Sequence, residues 1–458
     1  MRKTISIVLV LMLVIGTMAG CASKAPAETG NVELNWATIS GFYTEFMKGK
    51  VAEFEAETGI KVNIIEIDNS VMYEKQGIEM ASKTGAYDIL TNESMWKAEW
   101  ANAGYIIPID DYIKEAGLEA DLANLDPATF KLAGKWNGKV YALPYYSYNT
   151  GMVVRQDLFD DPTEKADFKA KYGVDLVVPT DWEYYTKVAD FFTRPAGAML
   201  KGVVNPNPMY GCGAFGGRFP DIQDENMGIL WGLGGDVIDN TGKAVINSPE
   251  GVKGAEIYTY LLNNCTPPGA KSGSYDEEVS ELQNGLIAMT GEMFLDQWAN
   301  MVKTEALIPG AKVQAYEAPL KRGYIGAFGM SISAESKYPK EAFQFIAWLN
   351  SFENAKEFAL AGGSPIRTDV MTDPEITSEA NRLKTGGLFM MNTTMASQAN
   401  VDPAIFKTPA AGKIYEEMMI AYNRITTGEI ETQAGLDELA AKIDQLNKPY
   451  MNADFLKN

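Results

Sequence analysis

Histidine is absent from all 458 residues. That removes His-based nucleophile triads, imidazole general bases and imidazole metal ligands. Any chemistry would have to rest on paired carboxylates, Lys, Tyr or a free thiol. Cysteine is nearly absent as well: Cys21, Cys212 and Cys265 are the full set, with no CxxC metal spacing. Positive charge is scarce, with 40 Lys and Arg against 60 Asp and Glu and a formal net charge of −20. A surface this acidic repels nucleic acid and anionic lipid head groups and favours solubility. Long apolar runs are missing too. The strongest, from Ile5 to Ile15, falls well short of the roughly 20 residues that a spanning helix needs.

What is present begins with that short run. Arg2 and Lys3 precede it, and Met18-Ala-Gly-Cys21 follows, so residues 1–20 read as a signal peptide that ends at a lipidated cysteine. Small side chains before the thiol are what lipoprotein processing requires; Met18 departs from the usual Leu. Residues 21–30 are small and polar and read as a flexible tether. Losing Arg2 and Lys3 takes the charge from −20 to −22. The chain is expected outside the cytoplasm, held to the membrane by lipid on Cys21 alone. In a compartment that permits oxidation, Cys212 and Cys265 could form a disulfide or stay as two buried thiols.

The rest carries ample apolar material, 46% of residues, for two to three domain-sized units. Val32 to Trp36 alternates as a strand does. Tyr43 to Thr58 puts Met47, Val51 and Phe54 on one helical face and stops at Gly59. Val62–Ile67 reads as a strand, Met72–Lys83 as a helix, and Tyr87–Leu90 as a strand. Strand-helix alternation predicts a mostly parallel, doubly wound α/β sheet, whose ligands sit beyond the carboxyl ends of the strands. The loops after those strands are therefore the candidate site: Ser40 to Tyr43, Asp68-Asn69, and Asn92 to Trp96. Helical stripes return at Ala342, Phe345, Ile346 and Leu349, and at Leu436, Leu439, Ala440, Ile443 and Leu446.

Several segments in order resemble the carbohydrate-type extracellular solute-binding proteins of ABC importers, the group around maltose-binding protein. They are Phe54 to Val62, Tyr87-Asp-Ile-Leu, and Trp100-Ala-Asn-Ala-Gly104 running on to Tyr112. Trp136 to Pro144 with Asn149 to Phe159 follows, then Pro179-Thr-Asp-Trp182, Leu282 to Met289, Ile332 to Leu349, and Gly363-Ser-Pro365-Ile-Arg367. The resemblance implies a periplasmic-binding-protein-like fold, with two doubly wound α/β lobes that close around ligand across a multi-segment hinge. Lobe one is expected over 31–143 and 287–333, and lobe two over 144–286 and 334–458. It also implies a monomer that performs no chemistry, needs no cofactor or metal, and hands a small sugar to a membrane permease. The 160–220 region looks inserted relative to the family.

Sugars offer apolar ring faces to aromatic side chains and hydroxyl edges to carboxylates, amides and Arg. Candidate ligand residues are Phe42, Tyr43 and Asp68, then Glu93 and Trp96 after the third strand. Tyr145 and Tyr146, with Tyr148, stand past the lobe crossing. Further on come Trp231, Glu292, Phe294, Trp298, Tyr324, Phe328 and Arg367. Phe42 and Tyr43 also suit a helix-start staple, Trp231 a helix-end core, and Arg367 an ion pair within the protein. Gly211-Cys-Gly-Ala-Phe-Gly216 matches a dinucleotide fingerprint in letters, but without the strand and helix that would hold a pyrophosphate. Asp236 and Asp239 to Gly242 read as a hairpin turn rather than a calcium loop. The paired tyrosines Tyr145-Tyr146 and Tyr184-Tyr185 lack the His partner of a ferric site. Rival readings are a polyamine or amino-acid binder, a glycoside hydrolase using two carboxylates, and a sensor subunit.

Overall fold

The computed structural model describes residues 32–397 and 402–457. The expected signal peptide, Cys21 and the expected tether lie outside the described residues. In chain order, the first lobe opens with β1 (Glu33–Ile39), α1 (Phe42–Thr58), β2 (Lys61–Ile67), α2 (Asn69–Ser82) and β3 (Ile89–Glu93). The local reasons are those read from sequence. Helix α1 ends at Gly59, whose φ of 75° closes the helix with its N–H on the Glu55 carbonyl. Helix α2 starts at Asp68, whose carboxylate accepts from the Ser70 N–H.

A long strand, β4 (Ala142–Arg155), then leads to α3 (Trp182–Phe192), β5 (Tyr210–Gly213), α4 (Ile222–Gly232), α5 (Pro249–Asn264) and α6 (Tyr275–Gln283). After these come β6 (Ile287–Phe294), β7 (Val313–Tyr316) and β8 (Ile325–Ile332). The chain finishes with α7 (Pro339–Leu349), α8 (Arg382–Ser397), α9 (Ala411–Thr426) and α10 (Thr432–Asn447).

The strands run in the order β2-β1-β3-β8-β4-β6-β5, with β7 also paired to β4. Strands β1, β2 and β3 are mutually parallel, as crossover connections require. Strand β4 joins the lobes. Its first half pairs with β8, from Ala142 opposite Ser331 to Asn149 opposite Ile325. Its second half pairs with β6 on one side and β7 on the other. One curled sheet thus serves two α/β lobes, and β4 is buried along almost its whole length.

This pairing differs from the expected lobe boundaries in two places. Residues 287–294 sit beside β5 and the second half of β4, away from β1–β3. Helix α7, expected in the second lobe, packs on β8 and α1 through the Phe345 ring, 5.6 Å from Trp36 and 5.0 Å from Phe54.

The inserted-looking region serves packing. Gly211 lies so close to α3 that a Cβ there would stand 1.8 Å from the Ala189 carbonyl oxygen, so the fingerprint glycines bring a helix onto a strand. None of 211–216 lines the cleft described below. Asp239 accepts from the Thr241 and Lys243 N–H groups, and Ile238 bridges to Ala244, which makes a turn. Tyr185 is buried against Trp182, rings 5.1 Å apart. Cys212 and Cys265 are free and buried. Their segments meet through the backbone, the Cys212 N–H donating to the Cys265 carbonyl. The disulfide alternative is therefore not realised in the structure. Burial pushes the Cys212 thiol pKa well up, which suits an inert thiol. No helix among the described residues is long and apolar enough to cross a membrane.

Candidate functional site

A cleft of about 580 Å³ opens between the lobes, within the range of small-molecule sites. The first lobe supplies chain ends and helix starts: Ser40 and Gly41 after β1, Asn69, Ser70 and Tyr73 at the start of α2, Glu93 and Trp96 after β3, and Phe328 on β8. The second supplies Asp221, Gln223 and Asp224 at the start of α4, Tyr275 and Asp276 on α6, and Phe294, Asp296 and Gln297 after β6. Tyr415, Glu416 and Met419 on α9 complete that wall. Tyr148, on the crossing strand, lies between the two sets.

The aromatic rings of the lining pack in two groups. Trp96 lies 5.4 Å from Tyr73. Tyr148 lies 5.1 Å from Phe328 and 5.8 Å from Phe294, and Phe294 meets Tyr275 edge-on at 5.1 Å. Behind this layer Tyr148 stacks on Tyr324, which stacks on Trp231 with planes only 7° apart. Rings locked by neighbouring rings present a rigid apolar face, which lowers the entropic cost of binding.

The polar groups divide by occupancy. Glu93 is buried and accepts from the Ser94 hydroxyl at 2.5 Å, the Met95 N–H at 2.6 Å and the Tyr148 hydroxyl at 2.6 Å. Burial raises its pKa, and these three bonds offset part of the rise. Asp224 accepts from the Tyr415 hydroxyl, and Asp296 from the Tyr146 hydroxyl and the Gln297 amide. Asp221 has only burial and the charges of Asp296, Asp276 and Glu93 acting on it, and together they push it up to about 7. Burial pushes Asp224 well above the usual carboxylate range.

Of the residues singled out in the sequence, Glu93, Trp96, Tyr148, Phe294 and Phe328 line the cleft. Tyr146, Trp231 and Tyr324 stand behind them, Tyr146 holding Asp296 and the other two backing Tyr148. Five stand elsewhere. Asp68 is engaged as the α2 cap, while its neighbours Asn69 and Ser70 face the cleft. Tyr145 is buried against Trp36 and meets Thr38. Glu292 is buried, accepting from the Thr150 hydroxyl. Trp298 donates to the Arg382 carbonyl and packs on α8. Arg367 spends all of its N–H groups on Asp121, Asp369 and the Asn350 carbonyl, so none remains for a ligand. The backbone of Phe42 and Tyr43 opens α1 beside the cleft residue Gly41. The sequence reading missed Tyr73, Asp221, Gln223, Asp224, Tyr275, Asp276, Asp296 and Tyr415. They lie at or near the starts of separate helices and turns, which carry no shared periodicity that would have gathered them.

Two α/β lobes joined by a crossing strand, with a polar-aromatic cleft between them, define a ligand-capturing protein of the two-lobed binding type. The chain belongs to the family of bacterial extracellular solute-binding proteins, whose profile matches residues 40–356. That family comprises binding proteins rather than enzymes. Among relatives, the chain is 23% identical over 372 residues to the "Probable amino-acid ABC transporter periplasmic-binding protein" of Sinorhizobium fredii, covering 80% of this chain and 77% of that one. It is 22% identical to the mannitol-binding protein of Pseudomonas aeruginosa, covering 73% and 72%. Among solved structures, it is similar to an ABC transporter solute-binding protein of Agrobacterium radiobacter in complex with ribitol. There the TM-score is 0.75, the identity 26%, and the coverage 91% of this chain and 98% of that one. The maltose-bound MalE3 of T. maritima superposes with TM-score 0.72 at 19% identity, covering 91% and 100%.

Proposed function

We propose that this protein captures a carbohydrate, a mono- or oligosaccharide or a sugar alcohol, and delivers it to an ABC permease. The observation that carries this reading is the lining of the cleft. Seven aromatic rings supply apolar faces, and interleaved carboxylates, amides and hydroxyls supply hydrogen bonds, the two surfaces that a polyhydroxylated ring or chain presents. The ribitol, mannitol and maltose named for its relatives support the class of ligand.

Ligand that touches both walls binds the closed arrangement better than the open one, so capture drives closure, and the closed form is what a permease can distinguish. Lipid on Cys21 would keep the mature chain at the membrane where that permease sits. The cleft performs no bond-breaking step in this reading. Its glycoside-hydrolase rival needs a proton donor and a nucleophile or base astride one bond, and Glu93 already accepts three internal hydrogen bonds. A thermal-shift screen over pentitols, hexitols, hexoses and malto-oligosaccharides, with amino acids and spermidine alongside, tests the class. A saturating ligand at 100 times its Kd raises stability by about 2.7 kcal/mol. A shift with at least one carbohydrate is expected; a shift with amino acids or spermidine alone would reject the carbohydrate reading.

A further inference from the structure

Among the described residues the cleft is lined by six carboxyl side chains and by neither lysine nor arginine, although the whole chain sets 40 basic residues against its 60 acidic ones. Three of the six are answered from within: Glu93 by Ser94, Met95 and Tyr148, Asp224 by Tyr415, and Asp296 by Tyr146 and Gln297. Asp221 is not. Among the described residues no donor or cation acts on its side chain, and the charges that reach it from Asp296, Asp276 and Glu93 are all of its own sign.

Its backbone is unusual as well. Asp221 has a φ of 97°, a region that L-residues rarely adopt, and it occupies the N-cap of α4 without capping the helix through its side chain. Two residues on, Gln223 lines the same cleft at 1% exposure, and its Oε1 has no hydrogen-bond partner. Acceptors shielded from water without a donor are costly. Here, a residue in a rarely adopted backbone conformation and a buried amide with an unpartnered oxygen both line one cleft.

A sugar hydroxyl could donate to one of these acceptors but would leave the excess charge in place. A primary ammonium donates three hydrogens, supplies the missing positive charge, and is attracted to the faces of nearby Tyr and Trp rings. We infer that the carbohydrate captured by this cleft carries a protonated primary amine, seated at Asp221 and Gln223 while the ring lies against the aromatic lining. This inference rests on the carbohydrate reading and narrows it to amino sugars and their oligomers.

Calorimetry at pH 7.5 and low ionic strength on matched pairs tests it: glucosamine against glucose, and fully deacetylated chitotriose against cellotriose, with spermidine as a sugar-free amine. The aminated member of a pair is expected to bind at least tenfold tighter. Asp221→Asn should abolish that advantage, bringing the aminated member down to the affinity of its neutral partner. Asp276→Asn, a substitution at an exposed cleft position that carries little risk to folding, should reduce the advantage by a smaller factor. Equal or tighter binding of the neutral members would overturn the inference and leave the carbohydrate reading standing. Spermidine binding tighter than every sugar, or no sugar binding at all, would overturn both.

Discussion

The two walls of the cleft use the same kinds of side chain and differ in what those side chains still have to give. On the first-lobe wall, Glu93 already accepts three internal hydrogen bonds, and Asp68, outside the cleft lining, is taken up by a helix cap. What remains for ligand there is ring surface from Tyr73, Trp96 and Phe328 and the neutral polar groups of Ser40 and Asn69. On the second-lobe wall, Asp221 and Gln223 hold unused acceptors at the start of α4, and Asp276 adds charge from α6. The first wall offers rings and neutral polar groups, and the second adds unanswered charge to its own rings Tyr275, Phe294 and Tyr415. A ligand must meet both, which couples selection to closure.

Substitution on the ring wall should have the largest effect. Trp96→Ala removes a buried ring packed on Tyr73 and Trp100. It should weaken every bound carbohydrate, neutral or aminated, by about 30-fold, corresponding to about 2 kcal/mol for a central aromatic anchor. Calorimetry below the lowered melting point checks this. A loss confined to aminated ligands would mean that the walls do not divide the work.

Next comes pH. The folded-state pKa of Asp221, about 7, lies above its ordinary 3.8, so between these values the folded chain keeps a proton that the unfolded chain has released. Its contribution to stability is therefore present at the acid end of that window and is lost as pH rises through about 7. Burial and neighbouring acids push Glu225, Glu278 and Glu281 upward as well. The ligand-free protein should melt at a higher temperature at pH 5.5 than at pH 8. Asp221→Asn should shrink that difference, and scanning calorimetry across the window reads both.

The smallest effect separates capping from binding. Asp68→Ala should cost about 1 kcal/mol of stability, the usual worth of an N-cap, and change ligand affinity by less than threefold. A large loss of affinity at unchanged stability would return Asp68 to the ligand-contacting wall.

How much of this was legible in the sequence follows from range. The order β1-α1-β2-α2-β3 was readable because each element carries its own period and its own stop, such as Gly59. The rule that ligands gather beyond strand ends led to Ser40, Asn69, Glu93 and Trp96, all close to their strands in the chain. Strand β4 gave no such help. It is buried on both faces, so alternation cannot tell Tyr148, in the cleft, from Tyr145, in the core. The second-lobe wall was hidden for a different reason. Asp224 meets Tyr415 across 191 positions of sequence, and only the packing of α9 on α4 brings them together. Arg367 was ambiguous because an arginine after a proline turn can serve either purpose. Its partners Asp121 and Asp369 decide for structure.

The most direct test of capture by closure is small-angle scattering of the protein alone and saturated with its best-binding carbohydrate. The radius of gyration should fall on saturation in the wild type, and again in Trp96→Ala once enough ligand is added to fill its weakened cleft. Full calorimetric saturation with an unchanged radius of gyration would contradict a cleft that works by bringing its two walls together.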